Sequence, residues 1–153
     1  MTTISISQHA EQPTAAVREK VRLEDLPAFF SRAFRDTMAA LGAQGRHAAG
    51  PPFGKYYGMP SDVLEVEVGF PVSAPIEPSG AVVPGVLPGG RVVEAIHVGP
   101  YDTMQEAYAD VRRYFSEQDL TPGDVMWESY LSGPGSEPDA TRWRTQICWP
   151  VAE

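Results

Sequence analysis

The chain has 153 residues, 42% hydrophobic and 21% charged, a balance that fits one globular domain able to bury a core without disulfides or metals. Its net charge of −8 argues against a nucleic-acid backbone as partner, which needs a concentrated positive surface. No apolar run approaches the ~18 residues of a membrane span, Met1–Gln12 lacks the basic start and apolar stretch of a secretory signal, and Cys148 is the single cysteine, so the expected setting is the cytoplasm, away from the membrane.

In chain order, Ala15–Arg18 reads as an apolar, strand-like run. Leu26–Leu41 follows with helical periodicity, placing Phe30, Phe34 and Leu41 on one face, with Gly42 as a C-terminal stop. Gly50–Tyr57 and Glu65–Val72 read as two further strands. Ser73–Gly90 carries Pro75, Pro78, Pro84 and Pro88 and cannot form a central strand. Glu94–His97 is the next strand-like run. The second helical segment aligns Met104, Tyr108, Val111 and Phe115; Asp102 or Thr103 caps it, with Glu106 completing a capping box. Gly123–Tyr130 and Arg144–Val151 close the chain as strands.

This order is written twice. Gly50-Pro-Pro-Phe53-Gly-Lys55-Tyr-Tyr57 matches Gly123-Asp-Val-Met126-Trp-Glu128-Ser-Tyr130 at an offset of 73, and Glu65–Val72 matches Arg144–Val151 at 79, each ending aromatic-Pro-Val. The difference falls in the Ser/Gly/Pro-rich loop Ser132–Ala140, where insertion costs little. Upstream, Ala15–Arg18 aligns with Glu94–His97. The fold class is therefore α+β: duplicated β-α-β-β units with pseudo-two-fold symmetry, mainly antiparallel sheet with helices. The expected organisation is a single domain over 1–153, with repeat 1 at about 12–72, a linker at 73–90 and repeat 2 at about 91–151. Two half-size repeats packed together leave a central ligand cleft; the alternative is an old duplication without one.

Glu128 is the leading chemical candidate. Strand alternation puts Met126, Glu128 and Tyr130 on one face and Trp127 and Ser129 on the other. A carboxylate between apolar neighbours is costly to bury unpaired. It therefore meets a ligand cation, pairs with Lys55, Arg142 or Arg144, or faces water. Lys55 aligns with Glu128 in the repeat and either neutralises it or snorkels outward. Tyr56, Tyr57, Tyr101, Trp127, Tyr130, Trp143 and Trp149 supply rings in or beside the strands, and planar cations are drawn to aromatic faces by about 0.5–2 kcal/mol each. Phe34, Phe70 and Phe115 read as core, as does Cys148. His9, His47 and His97 show no metal-ligand spacing, and Gly85–Gly90 lacks the Lys-Ser/Thr of a phosphate loop. No cofactor and no metal are expected.

His97-Val-Gly99-Pro100-Tyr101 before a helix, then Trp127-Glu128-Ser-Tyr130 and Trp149-Pro150-Val151, with Tyr56-Tyr57 and Gly69-Phe70-Pro71-Val72 in the first half, resembles the GyrI-like family. That is the effector-binding domain of the gyrase inhibitor protein and of BmrR-type multidrug-sensing regulators. The resemblance covers Gln12–Val151 and implies a duplicated strand-helix-strand-strand fold. In the regulators a helix-turn-helix precedes this domain, and Met1–Gln12 is too short for one, which suggests a stand-alone module.

The resemblance further implies that the residue matched by Glu128 meets the positive charge of lipophilic drugs, and that Trp143, fifteen residues later, lines the pocket. Phe30 and Tyr101 fall near other pocket positions. The expected ligand-binding set is Glu128, Trp143, Tyr130, Tyr101, Tyr57, Phe30, Trp127, Met126 and Phe53, for bulky, aromatic, lipophilic cations. Two other functions stay open by resemblance. One is hydrolysis of cyclopropane rings in genotoxic natural products, with Glu128 as the catalytic base activating water and Trp127, Tyr101 or Tyr57 placing the ring. The other is a gyrase-inhibitor-like protein-binding domain, for which the 20 acidic residues show no dense run.

Overall fold

The computed structural model describes residues 3–58, 62–134 and 136–152, so both ends of the expected 1–153 domain fall outside the description. In order the elements are β1 (Thr3–His9), β2 (Gln12–Arg22), α1 (Leu26–Ala43), β3 (Phe53–Tyr57), β4 (Val63–Pro71), β5 (Val82–Leu87), β6 (Gly90–Val98), α2 (Met104–Glu117), β7 (Val125–Ser132) and β8 (Arg144–Pro150). A single 3-10 turn precedes each helix, at Leu23–Asp25 and Tyr101–Thr103. The class is α+β, with antiparallel strands and two helices. The expected strand-helix-strand-strand run occurs twice, each preceded by a strand the sequence reading did not assign: β1 and β5.

The chain divides into two compact units. One holds β2, α1, β3, β4 and β5, with strand order β3-β4-β2-β5; the other holds β1, β6, α2, β7 and β8, in the order β1-β6-β8-β7. The first strand of the chain thus belongs to the sheet of the second repeat. β5 carries Pro84 on the edge of its sheet, beside β2, where a missing N–H breaks no interior ladder.

In the first unit, α1 carries Pro27 in its first turn, where a missing N–H removes no helical bond. It buries Phe29, Ala33, Thr37, Ala40 and Leu41. The central aromatic is Phe29, while Phe30 and Phe34 pack half-buried at its margin. The helix runs through Gly42 and ends at Ala43, with Gln44 as its C-cap and Gly45 next at φ +65°, a conformation glycine adopts without penalty. Against α1 pack Val17, Val21, Val66, Val68, Val72 and Val82, each worth about 1.5–3 kcal/mol when fully buried. Gly69 allows β4 to approach β2: a Cβ there would lie 2.0 Å from the Ala15 carbonyl oxygen.

In the second unit, α2 buries Met104, Ala107, Val111 and Phe115 on Val93, Ala95 and Ile147. The expected capping box does not form. Thr103 occupies the N-cap without a side-chain cap bond, because its hydroxyl donates to the Pro100 carbonyl at 2.8 Å instead.

The strand registers correct the repeat alignment by one residue. Phe70 pairs with Ala15 and Trp149 with Val93, so Ala15 corresponds to Val93 rather than Glu94. Both face their helices. Likewise Gly54 pairs with Val68 and Glu128 with Ile147, which makes Gly54, not Lys55, the counterpart of Glu128. A one-residue shift turns every side chain to the other face.

Candidate functional site

β7 exposes its two faces differently. Met126, Glu128 and Tyr130 are half-buried, whereas Trp127 and Ser129 are buried. Glu128 stands opposite Ile147, part of the α2 core, so this is the helix-covered face. Trp127 is only 2% exposed and lies edge-on to His9, 6.2 Å between ring centres. Alternation turns it away from Glu128, as the sequence predicts.

Both Glu128 oxygens accept phenolic hydrogens. Tyr130 donates to Oε1 at 2.8 Å, and Tyr108, from α2, donates to Oε2. The Tyr108 hydroxyl also lies 3.9 Å from Met126 Sδ. Burial pushes the Glu128 carboxyl above its ordinary range, and the two phenolic hydrogen bonds oppose that rise without cancelling it. Among the described residues no cation pairs with it: Arg142 engages Glu137 at 3.7 Å.

Beside this carboxylate three rings converge. Tyr101, 41% exposed, meets Tyr130 edge-on at 6.1 Å and Trp143 at 5.0 Å with a 37° tilt. Trp143 is oriented by its indole N–H, which donates to the Glu137 carbonyl at 2.7 Å. Burial, and next the Glu128 charge, hold the Tyr101 phenol above its ordinary pKa, so it is neutral near pH 7. The structure therefore brings together Glu128, Met126, Tyr130, Tyr101 and Trp143. It adds Tyr108, which the sequence reading placed on the core face of α2. Its position four residues after Met104 does carry it toward the sheet, and only the hydroxyl at its tip marks it as different.

Phe30, Phe53 and Tyr57 lie in the other unit. Phe30 packs edge-on between Phe29 and Phe34, and Phe53 is fully buried. Tyr57 donates to Glu67 at 2.6 Å, with the Arg18 guanidinium 3.7 Å from its ring centre. Lys55, 6% exposed, does not snorkel. It donates to the Val86 carbonyl at 2.9 Å and sits 4.0 Å from Glu67. Burial lowers its pKa, and Glu67 opposes the fall. Cys148 is buried, with its thiol pushed up to about 12. No helix among the described residues is long and apolar enough to cross a membrane.

The fold recurs in solved structures. The EcmrR C-terminal domain matches with a TM-score of 0.86 at 20% identity, covering 100% of this chain and 99% of that one. In the EcmrR–DNA complex, this chain spans 58% of the EcmrR chain, at 21% identity and TM-score 0.86 over 99% of its own length. SAV2435, in a structure bound to tetraphenylphosphonium, matches at TM-score 0.70 and 13% identity, over 98% of this chain and 94% of that one. A hydrolase encoded by lin2189 from Listeria innocua matches at 0.66 and 13%, over 98% and 92%. Identities this low carry the fold alone. No curated protein sequence matches the chain. The family model for the GyrI-like small molecule binding domain matches residues 2–152, and the chain belongs to that family.

Proposed function

We propose that the chain captures bulky, aromatic, lipophilic cations on the Tyr101–Tyr130–Trp143 rings, with Glu128 as the counter-charge. The carrying observation is that, among the described residues, no cation neutralises Glu128, while two phenols donate to it. Phenolic donors fix the carboxylate in place while leaving its charge uncompensated. The rings supply stacking surface for delocalised charge. A quaternary cation needs no hydrogen-bond acceptor and loses little hydration on entry, so it suits this arrangement better than a compact ammonium. That a relative of the same fold is bound to tetraphenylphosphonium supports the reading.

The test is a tryptophan-fluorescence titration with tetraphenylphosphonium and, as neutral counterpart, triphenylphosphine oxide. The expected result is preference for the cation, with Glu128→Gln weakening cation binding by about tenfold, the scale of one charge-assisted contact, while leaving the neutral compound unaffected. Equal binding of both compounds by the native chain, unchanged in Glu128→Gln, would overturn the proposal.

The raised pKa of Glu128 supports a second reading, in which it acts as general base on a water during cyclopropane hydrolysis. Incubation with a cyclopropane-bearing alkylator, followed by mass spectrometry, decides it: absence of ring-opened product above a Glu128→Ala control ends that reading.

A further inference from the structure

The α2-containing unit holds a cavity of about 330 Å³ that none of Tyr101, Glu128, Tyr130 and Trp143 lines. Its walls include His97, Gly99, Thr103, Glu106, Asp110 and Thr141. The volume is at the small end of ligand pockets, which run from roughly 300 Å³ upward.

His97 is 6% exposed. Its Nε2 lies 2.9 Å from Thr103 Oγ1 and 3.2 Å from the Pro100 carbonyl oxygen. The Thr103 hydroxyl donates its only proton to that same carbonyl. The carbonyl can only accept, so its contact with Nε2 is made by the tautomer that carries the ring hydrogen there. In the neutral ring, Nδ1 is then a lone-pair acceptor, and no described residue donates to it.

The other polar walls are acceptors too. Glu106, released from the capping box, has neither a hydrogen bond nor an ion pair among the described residues. Asp110, one turn further along α2, shares its carboxylate with Arg113 at 2.5 Å. Thr141 donates its hydroxyl to Asp139 at 2.6 Å and so presents lone pairs. The nearby donor that could have served an anion, the Gly99 N–H, is committed to the Trp143 carbonyl at 2.8 Å.

We propose that this cavity is a second binding site, for a small compact cation with at least two N–H donors: a guanidinium, with the free Glu106 carboxylate and His97 Nδ1 as its acceptors. The geometry selects against the quaternary cations proposed for the ring cluster, because a cation without N–H groups leaves these acceptors unpaired. It stands independently of the function proposed for Glu128.

The test is a ¹H–¹⁵N NMR titration of the full chain with methylguanidinium chloride, against tetramethylammonium chloride at equal ionic strength. The expected result is saturable shifts at Gly99, Thr103, Glu106 and Thr141, and at His97 Nδ1, with methylguanidinium alone. Glu106→Gln, a change at an exposed position that leaves the core intact, weakens that binding by about tenfold. Glu128→Gln leaves it unchanged. Equal shifts with tetramethylammonium, no saturable shift, or indifference to Glu106→Gln would each overturn the proposal, as would loss of the shifts in Glu128→Gln.

Discussion

Each unit contains a carboxylate bound by tyrosine, buried at Glu67 and half-buried at Glu128, and the two are completed differently. Glu67, 4% exposed, accepts from Tyr57 and has Lys55 at 4.0 Å, with Arg18 stacked over the same tyrosine. Glu128 accepts from Tyr108 and Tyr130 and has no cation among the described residues. The first is a closed ion pair in which the protein supplies both charges. The second is half of one. Burying a carboxylate among phenols alone keeps a desolvation cost that a well-designed core would avoid, and our proposal takes that cost as the trace of an external cation.

The sharpest way to break this comparison is to neutralise each carboxylate in turn. Glu67→Gln strands Lys55 as a buried charge and is expected to lower stability by about 3 kcal/mol in urea titration. Glu128→Gln removes an uncompensated charge and is expected to leave stability at pH 7 unchanged or up to about 1 kcal/mol higher. Equal losses from both would show that Glu128 is as structural as Glu67.

The pH dependence follows with a definite sign. A Glu128 pKa raised on folding means that the native state binds this proton more tightly than the unfolded chain. Its contribution to stability is fully present below the unfolded carboxyl range and is lost as pH rises through the folded pKa. Binding of a permanent cation moves the opposite way, falling about tenfold per pH unit below that folded pKa. The fall should begin above the pH at which an ordinary glutamate protonates, and a titration of tetraphenylphosphonium affinity from pH 8 to pH 4 checks it.

A smaller effect tests the phenols. Tyr130→Phe removes the donor to Oε1 and should raise the Glu128 pKa further, displacing the midpoint of that binding curve upward, at a stability cost of about 1 kcal/mol. The smallest expected effect is at Cys148. With its thiol pushed up to about 12 and buried, it should resist iodoacetamide at pH 8 until the chain is unfolded, as followed by mass spectrometry.

Much of this was legible in the residues themselves. The paired aromatic-Pro-Val endings and the two helical faces gave the duplication, because apolar periodicity survives in any copy that must cover a sheet. Face assignment along β7 was legible for the same reason: alternation in a strand is geometric. What failed was alignment by identity. Matching glycines and tyrosines set Lys55 against Glu128, whereas hydrogen-bond register sets Gly54 there, and no local pattern encodes register between strands distant in sequence. Tyr108 was seen but misread, since a helix position facing the sheet says nothing about which carboxylate its hydroxyl will reach. β1 went unassigned although Ile4 and Ile6 alternate with serines, for a short run near a terminus reads as a strand only once β6 lies beside it.

The membership of β1 and β5 has a practical consequence for anyone dissecting the chain. Cutting between the sequence repeats would strip an edge strand from one product and leave the other short of its first strand. The contiguous piece that preserves a whole compact unit is Ala10–Pro88. The remainder becomes a continuous polypeptide only if His9 is spliced directly to Gly89, two residues whose flanking strands already run side by side as a hairpin partner pair, His9 opposite Gly90.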